Sequence, residues 1–137
     1  MKKLLLLPLL VFIFTCCQAE EPLTEVKVET LVKSTSSWND STLLSYPQGQ
    51  PEVTILKIDI PPHTRLDLHQ HPYINAGVLL KGELSVLAEN GQQLHLKQGD
   101  ALIELVNTYH YGMNDGDEVA QIIVFYAGIK DIPITVK

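Results

Sequence analysis

After residue 21 the chain is a succession of short runs rich in β-branched residues, each closed by residues that turn a backbone, and helical periodicity is hard to find. The runs are Glu25 to Val32, Val53 to Ile60, Gly77 to Leu80, Glu83 to Ala88, Gln93 to Leu96, Ala101 to Val106 and Val119 to Tyr126. Such spacing belongs to all-β folds. Lys81-Gly82, Asn90-Gly91 and Asp115-Gly116 suit tight hairpins that need positive φ, and Pro61-Pro62 ends a strand by removing two donors. Sequential strands are therefore expected to be antiparallel neighbours. A set of about seven to nine strands must close on itself or pack as two sheets to bury its edges, and a jelly roll is one such solution.

At 137 residues there is room for one domain. Residues 1–19 stand apart from it. Lys2 and Lys3 precede an apolar run from Leu4 to Phe14, then the small residues of Thr15-Cys16-Cys17-Gln18-Ala19, which is the order of a signal peptide. The run is shorter than the ~20 residues a helix needs to cross a bilayer, so no transmembrane span is expected. Cys17 and Ala19 fit a cut before Glu20; the alternative is a lipoprotein signal cut before Cys16 or Cys17, with a lipid anchor on that cysteine. The expected location is the periplasm or cell envelope. Both cysteines lie in or beside the signal, so the mature domain has no thiol nucleophile and no thiolate ligand. Residues 20–50 read as an N-terminal strand and an irregular lead-in, with Trp38 as a cap, and residues 51–137 as the barrel.

The whole chain has a formal charge of −6, and loss of residues 1–19 leaves 8 basic against 16 acidic residues, a net −8. That balance argues against nucleic acid as a partner.

His69 and His71 stand two apart in an alternating apolar context, so on a strand they share one face. Two neutral imidazoles so placed can chelate one ion at ~2.0–2.1 Å each if a third ligand arrives from a neighbouring strand. His110, after the run Ala101 to Val106 and a short turn, is the candidate. His95 alternates with Leu94 and Leu96 and reads as solvated; His63, after Pro61-Pro62, reads as a surface turn.

The spacing around these histidines resembles that of the cupin family, of the small single-domain type, whose motifs run G-x5-H-x-H-x3,4-E-x6-G and G-x5-P-x-G-x2-H-x3-N. The first maps onto His63, His69, His71, Asn75 and Gly82, and the second onto Gly99, Leu105, Asn107, His110 and Asn114, with every spacing kept. The resemblance covers roughly residues 51–128 and implies a double-stranded β-helix, or jelly-roll barrel, around one divalent metal ion on His69, His71 and His110. Iron, zinc, manganese and nickel are not distinguished. His63, Leu105 and Asn107 replace residues that concern turns; Asn75 replaces the glutamate that is ordinarily a metal ligand in the family. An amide oxygen is uncharged and binds hard cations more weakly. Asn75 is a weak fourth ligand, a group that orients substrate or water, or a relic of a lost site.

Tyr73, Asn75 and Glu104 are the candidates for handling a substrate. Glu104 alternates away from Ile103 and Leu105 and should face outward, although turned inward it would serve as a general base. Tyr109 and Tyr111 should lie opposite His110, and Phe125 and Tyr126 read as core and edge. The resemblance implies an exported small-molecule enzyme, dioxygenase-like with iron and isomerase- or lyase-like with zinc, manganese or nickel. The alternative is a non-catalytic module that binds a metal or a small ligand. An enzyme should show a cavity of roughly 300 Å3 or more, whereas a sequestering site should be closed. The strand around Glu25 to Val32 implies a homodimer by the same resemblance.

Overall fold

The computed structural model describes residues 24–137, and the expected signal segment with its two cysteines lies outside them. Eight strands build the described chain: β1 (Pro51–Ile60), β2 (Thr64–Arg65), β3 (Asn75–Lys81), β4 (Glu83–Ala88), β5 (Gln93–Lys97), β6 (Ala101–Ile103), β7 (His110–Asn114) and β8 (Ala120–Ile129). They form two four-stranded antiparallel sheets, ordered β1-β8-β3-β6 and β2-β7-β4-β5. No helix of the described residues is long and apolar enough to cross a membrane.

Period-two alternation fixes what each sheet buries. Along β8, Ala120, Ile122, Val124 and Tyr126 point inward. They meet Ile60 of β1, Leu79 of β3, Leu84 and Val86 of β4, Leu96 of β5 and Leu102 of β6 in one core. Full burial of side chains of this size stabilises by ~1.5–3 kcal/mol each. The longest register, Pro51↔Ile129 to Ile60↔Ala120, joins β1 to β8 and ends where Pro61-Pro62 removes two donors, as expected.

Only one of the three expected hairpins forms. Asn90-Gly91 joins β4 to β5, which pair directly, whereas Lys81-Gly82 and Asp115-Gly116 carry the chain from one sheet to the other. A turn dipeptide sets local φ but leaves open which strand the next one pairs with. That is decided by which sheet offers a free edge to the apolar face. Gly82 has φ +75°, and a Cβ there would lie 2.9 Å from the Val119 carbonyl oxygen, so the corner admits no side chain. His63 and Asn107, at the two glycine positions of the motifs that hold another residue here, keep positive φ of 53° and 51°. Those positions are therefore left-handed here even without glycine.

The expected strand Glu25 to Val32 is absent. Its residues are irregular and exposed, with Val26 at 92% and Val28 at 86%, and no strand among the described residues pairs with them. The lead-in is more ordered than expected: Ser36 and Thr42 bridge, and Trp38 packs against the core while its N–H donates to the Ile103 carbonyl at 2.9 Å.

Asn114, fully buried at the end of β7, holds the corner into β8. The two hydrogens of its amide nitrogen are shared among the carbonyls of Ile60, Pro61 and Glu118 at 2.9, 3.0 and 2.8 Å, and its oxygen accepts from Gly116 N–H at 3.0 Å. Asn114→Ala leaves the buried Ile60 carbonyl and two partly buried ones without this donor and should cost about 2–4 kcal/mol in urea unfolding. A loss below about 0.5 kcal/mol, the range of an ordinary surface substitution, would show that the corner does not depend on it.

Candidate metal centre

The two histidine segments are joined through their backbones. His69 N–H donates to the His110 carbonyl at 2.9 Å, and His110 N–H returns the bond to His69 at 2.8 Å. Such a reciprocal pair sets the two residues directly opposite one another, with side chains on the same face. Gln70 exchanges a similar pair with Val136, and Asn107 N–H donates to the His71 carbonyl at 2.8 Å. The H-x-H segment is thus tied to three distant stretches of chain. The rings of His69, His71 and His110 lie with centroids 4.7 to 5.1 Å apart, and candidate ligand atoms of the three fall within 4.8 Å of one another.

Each imidazole is oriented by a carbonyl. Nδ1 of His69 bonds to Asp67 O, Nδ1 of His71 to Ile134 O and Nδ1 of His110 to Thr108 O, all at 2.8 Å. A carbonyl oxygen only accepts, so each Nδ1 carries a proton, and in the neutral imidazole Nε2 is then the ligand atom. Carbonyl-anchored imidazoles of this kind are the usual outer support of metal-ligating histidines. His110 Nε2 is buried with no hydrogen-bond partner among the described residues, an unsatisfied group that an ion would satisfy. Burial holds the His71 pKa down at about 4, despite the opposing bond to Ile134, and the neighbouring His110 and His69 lower it further. His71 is therefore neutral at pH 7 and available as a ligand. The donor set suits zinc or ferrous iron equally well.

The other sequence-derived candidates divide. Asn75, 1% exposed, lines the cavity in front of the histidines, its amide making only a long 3.5 Å contact to the Tyr73 carbonyl. Tyr73 is not among the lining residues; its ring lies against Gly128 on another side. Glu104 corrects the expectation that it faces outward. β6 ends at Ile103, so alternation no longer governs residue 104, and the carboxylate turns into the cavity, Oε1 standing 3.7 Å from His110 Nε2.

The expectation that Phe125 and Tyr126 are core and edge keeps Tyr126 out of the site, yet its ring stacks edge-on against His71 with centroids 5.4 Å apart and lines the same cavity. Burial, and secondarily the charge of Glu104, push its phenol up to about 12, so it remains a neutral O–H donor. Its place on the inward period of β8 was the available signal. His63 and His95 lie outside the site as expected, beside Asp117 and Glu83 respectively. Tyr111 points away from it and stacks under Arg65, 3.8 Å from its ring centroid. The cavity is small, about 70 Å3, and walled by apolar side chains such as Leu66, Val86 and Ile122.

The depressed pKa of His71 gives the metal-free protein a pH dependence of known sign. Between its ordinary 6.5 and about 4, the unfolded chain binds a proton that the folded chain refuses. Its contribution to stability is therefore full above pH 6.5 and declines as pH falls toward 4, by about 3 kcal/mol at most. Urea unfolding at pH 7 and pH 5 should show this decline in the wild type and a shallower one in His71→Gln; equal slopes would contradict the assignment.

The fold recurs in solved structures. The DMSP lyase DddQ of Ruegeria pomeroyi DSS-3 superposes with a TM-score of 0.54 at 21% identity, over 61% of this chain and 42% of the lyase. An uncharacterized conserved protein with a double-stranded beta-helix domain from Klebsiella pneumoniae gives 0.54 at 18% identity, over 82% of this chain and 96% of that one. A salicylate 1,2-dioxygenase from Pseudaminobacter salicylatoxidans gives 0.51 at 21% identity, over 55% of this chain and 22% of the dioxygenase. At these identities the likeness is one of fold, and the chain spans less than half the length of the two enzymes. No curated protein matches the sequence. The model of the cupin domain matches residues 56–126, just over half of the 137 residues, and the chain belongs to the cupin family.

Proposed function

We propose that the mature chain is an exported, divalent-metal-binding cupin that acts on one small oxygen-bearing molecule at His69, His71 and His110. One observation carries the reading: three carbonyl-anchored imidazoles bring a ligand atom each within 4.8 Å of one another, and His110 Nε2 has no hydrogen-bond partner among the described residues. When bound, the ion would supply Lewis-acid chemistry, or oxygen chemistry if it is iron. The chain's own residues do the rest. Leu66, Val86 and Ile122 keep bulk water out, while the Asn75 amide and the Tyr126 phenol offer neutral donors that orient a ligand. That proteins named as a lyase and a dioxygenase share this barrel supports an enzyme.

A second reading, a binding module without turnover, is favoured by the cavity. Its volume of about 70 Å3 is well below the ~300 Å3 typical of small-molecule pockets. Either the substrate is of a few atoms, or the site holds its ion without turnover. Export and processing before Glu20, or lipidation at Cys16 or Cys17, follow from the signal-like order of residues 1–19. A homodimer is supported by the exposed apolar residues Val26 and Val28 and by Val53 and Ile55 on the outer sheet face.

One preparation tests these points: untagged chain recovered from the cell envelope, its mass, its metal content and its light scattering measured together. The expected result is a chain cut before Glu20 or lipidated on a cysteine, dimeric, with about one equivalent of metal that His71→Ala abolishes. Iron would direct substrate tests to oxygen chemistry, and zinc, manganese or nickel to isomerase and lyase chemistry. No metal after reconstitution would refute the proposal.

A further inference from the structure

We infer that Glu104 supplies the negative charge missing at Asn75, and that the Ser37-Trp38 segment holds it at the metal centre. The inference rests on the metal-binding reading above. Glu104 is the only carboxylate that lines the cavity among the described residues, with its side chain 13% exposed and Oε1 3.7 Å from His110 Nε2. Its backbone N–H donates to the Asn75 carbonyl at 3.0 Å, so residues 75 and 104 are immediate neighbours across β3 and the end of β6. A carboxylate lost from one position is therefore present one ladder step away, directed into the same cavity.

Four bonds keep it there. Trp38 Nε1–H and Leu105 N–H both donate to Oε1 at 3.1 Å. The Ser37 hydroxyl donates to the Glu104 carbonyl at 2.8 Å, and Trp38 N–H to the Ile103 carbonyl at 2.9 Å. None of these donors is charged. The Glu104 carboxylate is thus turned from solvent beside three imidazoles, held only by uncharged donors, and a buried charge without an opposite charge is costly. A divalent cation on those imidazoles would in turn bring two uncompensated positive charges into an apolar cavity. Each cost is reduced by the other, which is the electrostatic reason for a carboxylate at this place.

The role is positional and electrostatic, so its readout is affinity. Metal-stripped protein is titrated with Zn2+ and Ni2+ against a competing chelator, with circular dichroism to confirm that each variant is folded. Glu104→Gln should weaken both ions ~10- to 100-fold, the usual effect of losing an outer-shell partner. Trp38→Phe, which removes the indole donor and keeps the carboxylate, should weaken them less. Asn75→Glu added to Glu104→Gln should restore most of the loss, because it returns the charge without returning the bond to Trp38.

A folded Glu104→Gln that binds like the wild type overturns the inference and leaves the metal reading standing. So does a loss that Asn75→Glu does not recover. If Glu104→Gln does not fold, unchanged affinity in Trp38→Phe overturns it. A wild type that binds neither ion removes both readings.

Discussion

The reciprocal backbone pair between His69 and His110 is the contact on which the site depends. It joins the segment between β2 and β3 to the start of β7, 41 positions along the chain, and sets the two imidazoles side by side, their centroids 4.7 Å apart and their planes tilted by 56°, before any ligand is present. The remaining order of the site follows from it. His71, two residues on, falls on the same side; the carbonyls of Asp67, Ile134 and Thr108 fix the three rings; β8 brings Tyr126 against His71. Because the rings are held by backbone and not by each other, the lone pairs are organised in the protein alone, and little reorganisation is left for binding.

The second constraint is charge. Three imidazoles, an amide and a phenol provide donor atoms to the cavity, and Glu104 is the one anionic side chain lining it among the described residues. A site of this composition favours a bound cation over a bound anion. The narrow, apolar cavity limits what can approach, so the same packing that stabilises the barrel restricts the size of the ligand.

Much of this was legible in the sequence, for identifiable reasons. Period-two runs and turn dipeptides announced an all-β fold, and the spacing of His69, His71 and His110 survived into space because each lies on extended chain where alternation holds. What failed was what alternation does not govern. Glu104 lies one residue beyond the end of β6, so its direction is set by Trp38 and Leu105, both invisible as partners in the sequence. The Lys81-Gly82 and Asp115-Gly116 turns were read as hairpins because a dipeptide states its own φ and not the sheet its strands will join. Glu25 to Val32 has strand composition but finds no strand to pair with among the described residues. Tyr126 was left out of the site because an inward aromatic residue looks the same whether it fills a core or faces a cavity.

The central claim is that His69, His71 and His110 bind one ion together through Nε2. X-ray absorption at the zinc edge of the reconstituted protein tests it most directly. The account predicts a shell containing three imidazole nitrogens at ~2.0–2.1 Å, with the remaining positions filled by oxygen. A shell with one imidazole or none would place the metal elsewhere and contradict the account.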